Sequence, residues 1–414
     1  MAGNPTQKYL ANYAEAEALG WQDFPLSVNN AVVIPAFDET TSLIESINKN
    51  LALADALVII VLNIPDGLNT TDQAFLNTQK LQHELIQASQ SIWQHPDFEH
   101  IQLRDYQGIK LLLIDRIKRP IPIKQGVGLA RKIGADIALQ LYALNKIASH
   151  WLHSTDADAT LPGDYFQQTA LLSSEYSAAC YGFIHTGNTG KLLEATLLYE
   201  KKLHYYLAGL TWAGSPYAFP TIGSTLAINF TAYAKVRGFP KRSAAEDFYL
   251  LNKLAKISPV CNLTGEVITL QARESQRVPF GTGPAVTRLL RQPSEQPIDD
   301  SSLFYHPQSF IALKEVIESF VCLSQGRTAN YTCELTTQTL QTMGFFNQLE
   351  PIFRQFKLPQ QRMRSLHSWF DGFRTLKFIH ALRDQQYPNL SWNQLREHQP
   401  LPFFNQEVAV RRGG

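Results

Sequence analysis

The sequence predicts an α/β fold with a mostly parallel central sheet, followed by a helical C-terminal region. Two observations carry this. Short apolar runs alternate with stretches of helical spacing through the first part of the chain, the strand–helix order that builds a parallel sheet. Beyond residue 300 the apolar spacing is helical and strand-like runs are few.

The elements follow in order. Ala31-Val32-Val33-Ile34 is apolar on both faces and ends at Pro35, as a buried parallel strand does. Residues 40–53 place Leu43, Ile44, Ile47 and Leu51 on one helical face. A second strand is expected over 57–62, a polar-amphipathic helix over 69–95 and a third strand over 109–114. Ala130, Ile133, Ile137, Leu141 and Leu144 mark a helix within 126–147. Residues 150–154 lead into Asp156-Ala157-Asp158. From 176 to 271 the pattern is mixed: strand-like pieces at 178–184, 225–228 and 267–271 surround helices at 192–210 and 245–257. The polar, Pro-containing stretch 292–297 suggests a boundary, giving a first domain over 1–300 (core 30–285) and a mainly helical region over 301–414. Ligands of parallel α/β sheets sit beyond the carboxyl ends of the strands, here residues 35–39, 63–67 and 156–158.

Composition excludes several classes. With 44% hydrophobic and 18% charged residues in 414, the chain reads as globular. Lys+Arg 37 against Asp+Glu 36 gives a net charge of +1, so no nucleic-acid partner is expected. Cys180, Cys261, Cys322 and Cys333 are widely spaced, without the CxxC pattern of a zinc site or a disulfide framework. Reduced thiols in the cytoplasm are the simplest reading. The first 22 residues are largely polar, with Glu15 and Glu17, and lack the order of a signal peptide. The apolar run 51–62 is interrupted by Asp55 and is too short to span a bilayer, so no transmembrane segment is expected. Peripheral membrane contact stays open.

Four motifs carry chemistry. Asp156 and Asp158 flank a small residue just past a predicted strand, where two carboxylates can hold one hard divalent cation and leave room for phosphates. An exposed acidic turn has the same signature. Glu246-Asp247 stands at a predicted helix start, where one carboxylate could take a proton from an attacking hydroxyl; ordinary helix capping also favours acids there. Arg273 and Arg277 flank a polar stretch that runs on to Gly281 and Gly283, suited to an anion, Arg277 as a bidentate phosphate ligand. A surface turn is the plain alternative. Lys124-Gln125-Gly126-Val127-Gly128 superficially suggests a dinucleotide fingerprint, but position 131 is Arg and the glycines lie well past the strand.

In order and spacing these features resemble the family 2 glycosyltransferases of GT-A fold, over residues 30–285. Val32-Val33-Ile34-Pro35-Ala36-Phe37-Asp38-Glu39 looks like that family's opening strand and turn. Residues 128–134 resemble the helix carrying its Ala-Arg and Gly, Asp156-Ala157-Asp158 its Asp-x-Asp motif, and Glu246-Asp247 its Glu-Asp pair. The usual Asp-Asp-Gly-Ser turn is replaced by Asn63-Ile64-Pro65-Asp66-Gly67, which leaves UDP, GDP and dTDP sugars all open. The Gln-x-x-Arg-Trp motif of processive members is not matched at Gln276-Arg277.

The resemblance implies metal-dependent transfer of a sugar from a nucleotide-diphosphate sugar to an acceptor hydroxyl, with inversion, using Mn2+ or Mg2+. Pro35, Phe37 and Glu39 would line the nucleotide site, with Asn63 facing the base and Arg131 near the nucleotide. Asp156 would contact ribose or metal, and Asp158 would bind the metal. Asp247 would be the general base, assisted by Glu246, and Arg277 would close over the diphosphate. Residues 212–217, His185 and His306 are secondary candidates for acceptor or metal contacts. The acceptor stays open among carbohydrate, lipid-linked and small polar molecules, as does homodimerisation. A retaining transferase and a non-catalytic sugar-nucleotide-binding or scaffold protein are the alternatives.

Overall fold

The computed structural model describes residues 4–40, 43, 51, 54–274, 281–291 and 298–397. They form two units, residues 1–187 with 221–281 and residues 188–220 with 282–414.

The first unit is built on a nine-stranded sheet. Its centre consists of β1 (Asn30–Ala36), β2 (Ala56–Pro65), β5 (Ile109–Ile121) and β6 (Trp151–Ser154), all parallel. On one side follow β10 (Leu226–Asn229), β8 (Ala178–Cys180) and β11 (Val260–Asn262); on the other, β4 (Ile101–Tyr106) and β3 (Gln90–Gln94). Only β4 and β10 pair antiparallel to both neighbours, so the other seven of the nine strands run one way. This is the mostly parallel α/β architecture the sequence predicts. A small second sheet joins β7 (Ala159–Thr160), β12 (Ile268–Gln271) and β9 (Phe183–Thr186).

The central strands form where expected because they are apolar on both faces; Val32, Val33, Leu57 to Leu62 and Leu112 are fully buried. The helix Gly126–Ala143 lies against β1 and β2 with Ala130, Ile133, Ile137 and Leu141 buried. Gly134 permits the close approach, since a Cβ there would press on Val33 and Val61. The helix expected over 40–53 lies, apart from Thr40 and the buried Leu43 and Leu51, outside the described residues.

Three parts differ from the sequence reading. The helix expected over 69–95 runs only from Gln73 to Gln87, and residues 90–94 form β3. This is a mostly exposed edge strand, so it carries no apolar alternation; Trp93 alone turns in, onto Trp21 and Phe24. Residues 4–29, which showed no element, dock firmly. Tyr9 and Trp21 are buried, and the helix Pro5–Asn12 is capped by the Asn4 side chain. Tyr9 Oη donates to Asp136 at 2.6 Å, Tyr233 Oη at 2.8 Å, Lys132 Nζ at 2.7 Å and the Glu15 N–H at 2.8 Å. The buried Asp136 carboxylate is thus satisfied from three separate stretches of chain.

The third difference is the division of the chain. It does not follow a single boundary near residue 300, because the helix Lys191–Trp212 groups with the C-terminal helices. Its Tyr205, Ala208 and Leu210 belong to one apolar cluster with Phe310, Leu313 and Phe378. The stretch 292–297 lies outside the described residues. Beyond residue 300 the chain is helical as expected, with Pro307–Ser324 and Gly372–Gln385 the longest helices. Gly209 offers the Phe310 ring a flat surface, and Tyr205 Oη donates to the Tyr305 carbonyl at 2.8 Å. All four cysteines are free thiols. Among the described residues no helix is long and apolar enough to cross a membrane.

Candidate active site

Two ion-pair networks lie past the carboxyl ends of the central strands. The first is centred on Arg131, which the helix Gly126–Ala143 carries in its second turn and which is only 2% exposed. Its Nε donates to Glu246 Oε1 at 3.0 Å, and Nη1 to Ser154 Oγ at 2.7 Å and the Thr155 carbonyl at 3.3 Å. Nη2 donates to Asp156 Oδ1. One guanidinium therefore joins the Asp-x-Asp turn after β6 to the Glu-Asp pair. Burial opposes its charge, but Asp156 and Glu246 outweigh that and hold it protonated.

Gly223, which opens the turn Gly223–Thr225, gives the guanidinium its space. A Cβ there would stand 3.0 Å from Arg131 Cζ and nearer still to Nη2. The guanidinium is tied on three nitrogens and cannot swing aside. Gly223→Ala should therefore lower stability by about 1–3 kcal/mol, the range for overpacking a filled site. Urea denaturation checks this; wild-type stability would mean that Arg131 gives way freely.

Glu246 and Asp247 open the helix Glu246–Leu254. The preceding Ala245 takes left-handed backbone (φ 57°), which turns the chain sharply into that helix. Asp247 Oδ1 accepts from the Phe248 N–H at 2.6 Å. Burial, and then the neighbouring Glu246 charge, push the half-buried Asp247 carboxyl up to about 7. Burial also raises Glu246, against the pull of Arg131. A carboxyl poised near 7 suits a general base.

The second network is centred on Arg273. Both its terminal nitrogens donate to Glu39, Nη1 at 3.0 and 3.1 Å and Nη2 at 3.1 Å, and Nη2 pairs with Asp158 Oδ2 at 2.8 Å. The small sheet sets this meeting. β7 begins directly after Asp158, β12 ends two residues before Arg273, and the two strands pair antiparallel. Asp156 acts electrostatically on both Arg273 and Asp247, so the networks adjoin.

The structure thus brings together Glu39, Arg131, Asp156, Asp158, Glu246 and Asp247. Pro35 is buried inside β1 and Phe37 is half-buried just past it. Asn63 sits near the end of β2, its buried Oδ1 without a partner among the described residues. The buried Thr155 Oγ1 also lacks one. Arg277 lies outside the described residues. Arg273, named with Arg277 in the anion-suited stretch but given no role there, takes its place from a strand that pairs beside the Asp-x-Asp turn.

The histidines divide. His153, fully buried on β6, lies 3.3 Å from the Ala31 carbonyl and 2.9 Å from Thr169 Oγ1, and burial lowers it to about 3, a neutral core residue. His185 is buried on β9 with its ring edge-on to Phe183. His306 caps the helix Pro307–Ser324 through Nδ1. Of residues 212–217, Trp212 lies under Lys314 and Tyr217 donates to the His367 carbonyl at 2.9 Å, contacts of a packed loop.

No protein-family model matches the sequence, and no curated protein does. Among solved structures, residues 1–349 of TarS from S. aureus, in complex with UDP-GlcNAc, are 12% identical, with 86% of this chain and 92% of that chain covered at a TM-score of 0.36. The mannosyltransferase PcManGT from Pyrobaculum calidifontis, in complex with GDP-Man and Mn2+, is 13% identical, with 93% and 96% covered at a TM-score of 0.36. Superpositions at that level do not by themselves establish common function.

Proposed function

We propose that the chain transfers a sugar from a nucleoside-diphosphate sugar to an acceptor hydroxyl, with a divalent cation and with inversion. The observation that carries this reading is the Arg131 bridge. It ties the Asp-x-Asp turn and the Glu-Asp pair into one network past the carboxyl ends of parallel strands, where such sheets take their ligands. Asp247 beside it is held near 7, where a carboxylate can accept a proton at neutral pH. Asn63 Oδ1, without a partner among the described residues, offers an acceptor for a nucleobase amide or amine.

Asp156 and Asp158 fit a hard cation in a limited sense. Among the described residues no group of three or more His, Cys, Asp or Glu could hold a metal alone. Mg2+-type sites commonly use one or two carboxylates and leave the rest to substrate phosphates, and these two suffice for that. A bound cation would supply charge stabilisation for the departing diphosphate.

The chain's own groups do the remaining work. Asp247 takes the acceptor hydroxyl proton as that oxygen bonds to the anomeric carbon and the bond to the diphosphate oxygen breaks. Glu246, locked by Arg131, keeps the pair oriented and its charge holds Asp247 basic. Backbone and Asp156 contacts on Arg131 keep the turn preorganised.

A thermal-shift screen of UDP, GDP, dTDP and CMP, with and without Mn2+, tests the donor site. One nucleotide should raise the melting temperature in a Mn2+-dependent way, by the equivalent of about 2.7 kcal/mol at a hundred times its Kd. Asp158→Ala should lose the Mn2+ dependence and the turnover that needs it. No shift from any nucleotide would count against a donor site and for a scaffold protein. Retained Mn2+ dependence in Asp158→Ala would remove that residue from the metal set. NMR of the fresh product's anomeric proton decides inversion against retention.

A further inference from the structure

We propose that Arg273 is a built-in counter-cation that keeps a divalent metal off Asp158 until a nucleoside diphosphate arrives, so that metal and nucleotide bind as a coupled pair. This rests on the donor-site reading above and adds a control to it.

The argument starts from placement. Glu39 follows β1 and Asp158 precedes β7, and the Arg273 guanidinium lies between them with three contacts to Glu39 and one to Asp158. Glu39 is buried and Asp158 is mostly so, whereas the Arg273 side chain is 32% exposed. The arginine is therefore anchored on its Glu39 side and open towards solvent. Its contact to Asp158, through Nη2, is one with which an incoming cation competes.

Charge then sets the order of events. A metal at Asp158 beside an unmoved Arg273 places a double positive charge against a single one, with Asp158 shared between them. Metal alone is disfavoured. A diphosphate changes the balance, because it adds negative charge and because the guanidinium donor freed from Asp158 can turn to a phosphate oxygen. Arg273 can keep Glu39 through Nη1 and turn Nη2 to phosphate, which releases its hold on Asp158. By linkage, the factor by which nucleotide strengthens metal binding equals the factor by which metal strengthens nucleotide binding. Lysine would not serve, since it is a point charge without the planar fork that reaches two carboxylates at once.

The test is Mn2+ binding to the intact chain, read from the electron paramagnetic resonance signal of free Mn2+, with Mn2+ alone and then with UDP or GDP. The Mn2+ that each nucleotide holds in protein-free buffer is subtracted. Wild type should bind Mn2+ at least tenfold more tightly with the recognised nucleotide than without it. Arg273→Gln should bind Mn2+ alone at least tenfold more tightly than wild type does, and gain little further from nucleotide. Arg273→Lys, which keeps the charge and guards against a folding defect in the Gln variant, should fall between them. Equal or weaker Mn2+ binding by folded Arg273→Gln and Arg273→Lys overturns the competition and leaves the donor site standing. Failure of every protein to hold Mn2+ with either nucleotide overturns the metal-dependent donor site, and this inference with it.

Discussion

Arg131→Ala should destabilise the protein by about 3–5 kcal/mol, the range for removing one partner of a buried ion pair. The loss comes less from missing attraction than from what is left behind. Glu246 is 5% exposed and forms an ion pair with Arg131. Without the guanidinium its carboxylate is stranded, and the buried Ser154 hydroxyl loses a donor. Urea denaturation reads the effect. The double variant Arg131→Met with Glu246→Gln should recover a substantial part of the stability, because no buried charge remains at position 246 and the methionine fills much of the volume, while Asp156 keeps contact with water, yet it should stay inactive. If Arg131→Met alone were as stable as the double variant, the Glu246 charge would not be what the arginine neutralises.

Asp247→Asn should do the opposite to stability while lowering turnover by about 10²–10⁴-fold, the usual contribution of a general base. The carboxyl rises from 3.8 to about 7 on folding. The folded chain therefore binds this proton more tightly than the unfolded one. The stability so gained is full below pH ~4 and is lost as pH rises through about 7. Such a rise corresponds to about 4 kcal/mol against the anion; solvent contact at the half-buried side chain brings the expected difference to about 2 kcal/mol. Asn carries no titrating proton, so the variant's melting temperature should match wild type near pH 4 and exceed it increasingly up to pH 7 and beyond. In wild type, turnover should rise with pH through about 7, the profile belonging to the Glu246–Asp247 pair rather than to one residue. A turnover profile flat from pH 5 to 8 would contradict the assignment.

What the sequence made legible was whatever one stretch of chain settles by itself. β1, β2 and β5 are apolar enough to be buried on both faces, so their parallel pairing followed from composition. Asp156 and Asp158 stand at a strand end that Trp151–Ser154 marks. Glu246-Asp247 opens a helix, as its acids suggest. The illegible parts depend on partners far along the chain. β3 is an edge strand with four exposed residues, and no local pattern separates it from the end of a helix. The helix Lys191–Trp212 reads correctly as a helix, but only the positions of Phe310 and Phe378 say which unit it joins. Arg273 is one charge among several in a polar stretch; the pairing of β7 with β12 is what brings it to Asp158. Arg131 was expected near a nucleotide, whereas its buried head is already bonded to four of the protein's own groups.

The anchoring of the amino-terminal segment sets a timetable for the chain. Tyr9 meets Asp136, 127 residues later, and both then meet Tyr233. At a synthesis rate of about 5–20 residues per second, Tyr9 is added to the chain roughly 6–25 s before Asp136. A segment made before its partner helix is therefore placed late. Through that interval Tyr9 lacks its carboxylate partner, and the helix that carries Arg131 acquires its last contacts only once the helix Glu246–Leu254 has followed.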